Sequence, residues 1–149
     1  MGTHYKGTKK EIRALNTYIK FMRAADSLSS RINSRLIKTK LSESQLNVLD
    51  ALFHLGPLSQ KDLGKKLLRS GGNITMVIDN LEKRKFVRRK RGVTDRRIII
   101  VDLTPSGKKL MGKVLPQKVD AVTKEIIKLS KDEQSELQRL CKKIGIRKQ

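Results

Sequence analysis

The hydrophobic periodicity of this chain is interrupted once, and the place of the interruption restricts the fold more than any other feature. Up to Lys85 apolar residues recur every three or four positions. Immediately afterwards, Phe86-Val87-Arg88-Arg89-Lys90-Arg91 and Arg97-Ile98-Ile99-Ile100-Val101-Asp102-Leu103 are rich in β-branched residues, with Gly92-Val93-Thr94-Asp95 between them. Three- and four-residue spacing marks one face of a helix, whereas β-branched runs separated by turn residues mark a hairpin. Past Thr104-Pro105, where the threonine caps and the proline starts a helix without needing its missing N–H, the helical spacing returns.

The segments leading into the hairpin are short. Ser59 is an N-cap with Asp62 at the third helical position, and Leu58 before it is placed to staple onto Leu63. That helix runs to about Leu67. Arg69-Ser70-Gly71-Gly72-Asn73 then makes a turn that places Ser70 as the cap of the next helix, whose apolar face is Ile74, Val77, Ile78 and Leu81. Two short helices joined by a turn of about four residues form the helix-turn-helix pattern.

Longer helices flank this unit. Ile12, Leu15, Ile19, Met22, Ala25, Leu28, Ile32 and Leu36 place one amphipathic helix over Lys9 to Lys38, about 45 Å long at 1.5 Å per residue. A small domain cannot cover such a face, so a partner subunit is expected. Ser42 and Gln45 form a capping box for a second helix with Leu46, Leu49, Leu52 and Phe53 as its buried face, stopped by Gly56-Pro57. After Pro105, a helix carrying Leu110, Met111, Val114, Leu115, Val119, Val122, Ile126 and Ile127 continues past Pro116, which should kink it. Ser130 with Glu133 opens a last helix with Leu137, Leu140, Cys141 and Ile144 on one face. The fold class is mainly α with a small β-hairpin, a winged helix-turn-helix between long terminal helices. At 149 residues, one compact domain over 1–149 is expected, with a lobe over 42–103 and terminal helices over 9–38 and 105–146.

Charge narrows the partner. Lys and Arg number 35 against 14 Asp and Glu, a net +21, which calls for a polyanion. Between Lys65 and Arg97 lie twelve basic residues (Lys65, Lys66, Arg69, Lys83, Arg84, Lys85, Arg88, Arg89, Lys90, Arg91, Arg96 and Arg97) against Asp79, Glu82 and Asp95. A helix-turn-helix followed by a basic hairpin fits double-stranded DNA: the second helix enters the major groove and the hairpin tip reaches the backbone or the adjacent minor groove. Ser70, Gly71, Asn73 and Thr75 are small or short and polar, so backbone N–H groups can approach phosphates while Asn73 or Thr75 reach base edges; Met76 can touch a thymine methyl. Lys66, Arg69, Lys90 and Arg96 complete the candidate surface. A planar, weakly hydrated guanidinium suits the negative potential of a narrow minor groove, which favours Arg97, and Asp95 two residues away can orient it.

Taken together, the run Asn73-Ile74-Thr75-Met76-Val77-Ile78-Asp79-Asn80-Leu81-Glu82-Lys83-Arg84, Asp95-Arg96-Arg97 and Leu103-Thr104-Pro105-Ser106-Gly107 resemble the MarR family of bacterial and archaeal regulators, and the resemblance spans nearly the whole chain. It implies a homodimer held by the terminal helices, a palindromic operator, Arg97 as the wing arginine in the minor groove and Asp95 as the carboxylate that holds it. It also implies release from DNA by a small aromatic or phenolic ligand bound between the dimerisation helices and the DNA-binding lobe, for which Tyr18, Phe21, Met22 and His54 are lining candidates. Repression is the expected outcome. One departure is Lys85, where the family usually has glycine, and this lysine is expected to strain its turn.

Other classes fit less well. No nucleophile elbow, phosphate-cradling loop or acid pair suggests an enzyme, and one cysteine with two histidines gives no metal-ligand cluster, so no metal or other cofactor is expected. Cys141, on an apolar helix face, reads as a small hydrophobe and not a redox sensor. With no apolar run of about 18 residues and no signal segment, no membrane association and a cytoplasmic location are expected. The remaining alternative is a non-specific architectural DNA-binding or RNA-binding protein, which the charge would serve equally well.

Overall fold

The computed structural model describes residues 2–67 and 71–145. In chain order they form α1 (Lys9–Arg35), a 3-10 turn (Ile37–Thr39), α2 (Glu43–Leu55), β1 (Leu58–Ser59), α3 (Gln60–Lys66), α4 (Gly71–Lys83), β2 (Val87–Arg91), β3 (Ile99–Leu103), α5 (Pro105–Ile126) and α6 (Lys131–Gly145). The elements fall into two compact units: a lobe, Leu36–Val119, and a helical unit made of Met1–Arg35 with Asp120–Gln149. Among the described residues, no helix is long and apolar enough to cross a membrane.

In the lobe, the caps read from the sequence close as hydrogen bonds. Ser42 Oγ accepts from the Gln45 N–H (3.1 Å) while Gln45 Oε1 accepts from the Ser42 N–H (3.0 Å), and Ser59 Oγ accepts from the Asp62 N–H (3.0 Å). Gly56, at φ +77°, ends α2. Leu46, Val48, Leu49 and Leu52 of α2, Leu63 of α3, Ile74, Ile78 and Leu81 of α4, Val87, Val101 and Leu103 of the sheet, and Met111 and Val114 of α5 make the core. Ser70, read as the cap of α4, lies outside the described residues.

Three sequence expectations need correction. Phe53 is 39% exposed, not buried, because it sits in the last turn of α2 with its ring edge-on to His54; Val48 fills the core instead. The sheet has three strands in the order β1-β3-β2, all antiparallel, where the sequence suggested a hairpin alone. Leu58, read only as a staple, pairs with Val101 in it. Helix α1 ends at Arg35 and not at Lys38: Leu36 leaves helical geometry for the 3-10 turn, closed by Lys40 in the left-handed region (φ 56°).

The junction of α4 and β2 turns at Lys85, which has φ +65°. The Phe86 N–H donates to the Leu81 carbonyl (3.0 Å) and the Lys85 N–H to the Glu82 carbonyl (2.9 Å), the bonding pattern of a Schellman cap whose left-handed position favours glycine. Thr104 Oγ1 donates to the Lys85 carbonyl (2.7 Å), which ties this turn to the start of α5. The strain expected at Lys85 is therefore present in the backbone. Lys85→Gly should raise stability by about 1 kcal/mol, read as a higher urea midpoint at unchanged slope; an unchanged or lower midpoint would show that Lys85 supplies compensating contacts.

In the helical unit, Thr8 caps α1 reciprocally with Glu11: the Thr8 N–H donates to Glu11 Oε2 (2.8 Å) and the Glu11 N–H to Thr8 Oγ1 (3.2 Å). Helix α5 continues through Pro116 as one helix, although proline has no N–H to offer the Gly112 carbonyl. Glu125 near its end is buried, with 2% of its side chain exposed. Its carboxylate accepts from Arg31 Nε (2.9 Å) and Arg35 Nη2 (3.1 Å) of α1 and is paired with Lys128. Lys128 and then Arg31 hold its carboxyl down at about 2, from an ordinary value of 4.5. A depressed folded-state pKa gives stability that is complete above the unfolded value and is lost as pH falls towards the folded one. Acid titration followed by circular dichroism should accordingly show wild type losing stability between about 4.5 and about 2. Glu125→Gln should be destabilised at neutral pH, by about 5 °C in Tm, and show a smaller loss over that window. Parallel acid curves for the two proteins would remove Glu125 as the cause.

Neither α1 nor α6 has a residue buried by its own chain. Tyr18 (62%), Phe21, Met22, Leu137, Leu140 and Ile144 (68%) stand exposed on them.

Candidate DNA-binding surface

The candidate surface is assembled entirely within the lobe by α3, α4 and the β2–β3 hairpin. The hairpin tip folds tightly. The Gly92 N–H donates to the Ile98 carbonyl (2.8 Å) and the Ile98 N–H to the Asp95 carbonyl (3.1 Å), and a Cβ on Gly92 would come within 2.5 Å of that same Asp95 oxygen. Only glycine allows this approach. The tip presents Asp95, Arg96 and Arg97.

Arg97 is held by Asp95 through three bonds. Nε donates to Oδ1 (3.1 Å), Nη2 to Oδ2 (3.1 Å), and the Arg97 backbone N–H to Oδ1 (3.0 Å). The Arg97 side chain first, and its backbone N–H second, keep the Asp95 carboxyl below the usual aspartate range. The arginine side chain is nonetheless 91% exposed. A bidentate grip on Nε and Nη2 orients the guanidinium plane and leaves the rest of its donor fork for another acceptor. Arg96 is exposed, and its carbonyl accepts from Arg91 Nη1 (3.0 Å).

On the helices, Lys66 and Asn73 are exposed, as is Lys90 on β2, and Met76 is 65% exposed. Gly71 begins α4. Thr75 is half-buried and its hydroxyl accepts from Gln60 Nε2 (2.8 Å). Arg69 and Ser70 lie outside the described residues. Of the ligand candidates, Tyr18, Phe21 and Met22 belong to the helical unit and His54 to the lobe, where its Nδ1 lies 3.0 Å from the Asp50 carbonyl oxygen. Cys141 is half-buried on α6.

The twelve basic residues of this stretch do not all face outwards. Arg84 donates to the Lys40 carbonyl (2.9 Å) and lies over the Phe86 ring (5.1 Å), and Arg88 pairs with Asp102 at 3.5 Å. Arg89 also turns inwards, with 19% of its side chain exposed, among Gln60, Thr75, Asp79 and Glu82. Sequence reasoning missed Arg89 and Gln60 as residues of this site. The signal was the period of two along β2, which puts Arg89 on the same face as the buried Val87.

Residues 41–99 match the MarR family. The chain is 34% identical over 137 residues to the uncharacterized HTH-type transcriptional regulator YkoM of Bacillus subtilis (strain 168), covering 92% of this chain and 89% of that relative. The chain belongs to the MarR family. Its winged helix-turn-helix fold is shared with a mutant MarR from E. coli complexed with operator DNA (TM-score 0.80, 22% identity, 95% of this chain and 100% of that one). It is also shared with NadR in complex with 4-hydroxyphenylacetate (TM-score 0.74, 20% identity, 99% of this chain and 100% of that one). As a member of the MarR family the chain is a transcriptional regulator, and its wing and recognition helix are those of a DNA-binding lobe.

Proposed function

We propose that this MarR-family regulator binds a palindromic double-stranded operator as a homodimer and represses transcription from it, acting by binding and not by catalysis, in the cytoplasm. Helix α4 enters the major groove, where Asn73, Thr75 and Met76 meet base edges and Gly71 lets the backbone approach phosphate; Lys66, Arg69, Ser70, Lys90 and Arg96 take phosphates; and Arg97, steadied by Asp95, enters the minor groove. The observation that carries this reading is the wing tip, where an arginine is oriented bidentately by its neighbour while its side chain remains 91% exposed.

The apolar faces of α1 and α6, uncovered by their own chain, support the dimer. Sedimentation at micromolar concentration should find twice the 17.0 kDa chain mass. The fold shared with NadR supports a small aromatic or phenolic effector.

The deciding experiment selects fragments of genomic DNA on the wild-type protein and compares the best duplex with random sequence. Operator binding predicts half-sites about one helical turn apart and a preference of at least about 10³ at moderate salt. Equal binding to every duplex, or a preference for RNA, would replace this reading with the architectural one. Within it, Lys90→Ala should weaken binding to operator and random duplex alike and lower the salt slope by about 1. A loss confined to the operator would instead make Lys90 a sequence-reading residue.

A further inference from the structure

Arg89 belongs to the basic run of the wing, yet it is turned towards the protein. A guanidinium has five N–H donors. Nε donates to Gln60 Oε1 at the start of α3 (3.2 Å), Nη1 to Glu82 Oε1 (3.2 Å), and Nη2 both to the Thr75 carbonyl (3.3 Å) and to Asp79 Oδ1 (2.6 Å). The Arg89 backbone N–H donates to the second oxygen of Glu82 (3.0 Å), and Gln60 Nε2 closes the ring by donating to Thr75 Oγ1 (2.8 Å). One side chain on the wing strand thus holds three points along α4 and the first residue of α3.

Beside this network, towards the wing tip, α4 and β3 leave a gap. Ile74 and Thr75 of α4 and Ile98 and Ile99 of the wing line a cavity of about 670 Å³. Close packing that would otherwise set the angle between recognition helix and wing is missing there. A polar network with several fixed acceptors can set such an angle, since a half-buried arginine with four of its five donors engaged tolerates few alternative arrangements.

We propose that Arg89 is a positioning residue for sequence recognition: it makes no contact with DNA, and it fixes the orientation of the wing relative to α4 so that Arg97 and the α4 side chains meet adjacent grooves in register. This rests on the operator-binding reading above. It assigns a largely enclosed arginine of the wing to specificity alongside Arg97, and the exposed Lys90 and Arg96 to affinity.

The test uses Arg89→Lys, which keeps the charge but replaces a planar fork with a point charge unable to span four acceptors. On a duplex selected from genomic DNA by the wild-type protein, Arg89→Lys should bind roughly tenfold more weakly, with random-duplex affinity within about twofold of wild type and an unchanged salt slope. A residue that merely contacts phosphate would let lysine substitute, so wild-type affinity and selectivity in Arg89→Lys would overturn the proposal. Gln60→Ala, which alters no charge, should move selectivity in the same direction and covers the case of a poorly folded lysine variant; full selectivity in both would equally overturn it.

A second readout needs no DNA. Spin labels at Met76→Cys and Val93→Cys, both exposed in this structure (65% and 101%), in a Cys141→Ser background, report the separation of α4 and wing tip by electron–electron resonance. The distance distribution should be narrow with Arg89 and broader with lysine. Identical distributions would overturn the brace. A wild-type protein without operator preference would overturn the function reading instead, and the label distances would still decide the brace.

Discussion

Gly107→Ala should destabilise the lobe by about 3 kcal/mol, at the upper end of what overpacking costs. Gly107 is buried in the first turn of α5, where its N–H donates to Thr104 Oγ1 (3.1 Å). A Cβ there would lie 2.1 Å from the Phe86 carbonyl oxygen and 3.1 Å from Leu103 Cδ2. The oxygen cannot retreat, because it accepts the Thr104 N–H (3.0 Å) and sits next to the strained Lys85 turn. Thermal unfolding of the variant should show a Tm lower by about 10 °C. The same substitution at Gly112, where nothing lies within 4 Å of the added carbon, should be neutral or gain about 0.5–1 kcal/mol from helix propensity. Equal effects at the two glycines would mean that backbone freedom, and not the Phe86 carbonyl, decides the outcome.

Arg97→Ala should weaken operator binding by roughly 1 to 3 kcal/mol, with most of the loss in selectivity. The guanidinium is already oriented by Asp95, so little conformational freedom has to be given up when it enters a groove. Asp95→Asn keeps the arginine and loses the ionic grip, and should fall between wild type and Arg97→Ala. An aspartate is already a carboxylate across the neutral range and Arg97 lowers the pKa of Asp95 further, so the difference between Asp95→Asn and wild type should not change with pH there. Titration of selected and random duplexes checks both variants. An Arg97→Ala protein with undiminished selectivity would move minor-groove reading away from the wing tip.

Much of the fold is legible in the residues because its boundaries are local. Ser42 with Gln45, Ser59, Thr104-Pro105 and Ser130 with Glu133 each satisfy backbone N–H groups within one turn, and such bonds depend on a few neighbours in sequence. What escaped is what depends on distant partners. Leu58 and Ser59 form a strand only because β3 lies beside them, and two residues carry no periodicity. Phe53 has the spacing of a core residue and is exposed because the chain turns away directly after it.

The candidate site divides in the same way. The wing tip was readable from Asp95 and Arg97, two residues apart. Arg89 was counted with the outward charge because its partners, Asp79 and Glu82, come ten and seven positions earlier on another element. Those acids entered the reckoning only as a reduction of net charge. Strain at Lys85 was readable only through the resemblance, which puts glycine there, and its φ of +65° bears that out.

The position of β2 at the edge of its sheet has one more consequence. An uncovered strand edge is a template on which a second unfolded or folded chain can polymerise, and it is hazardous in a protein that must remain dispersed while searching a genome. Here the Arg89 N–H is occupied by Glu82, and Arg88, Lys90 and Arg91 line the same strand. Two approaching copies would bring these cations together. The positive charge that concentrates this regulator on nucleic acid therefore also keeps its unbound molecules apart, and neutralising the strand should lower solubility in DNA-free solution before it lowers folding stability.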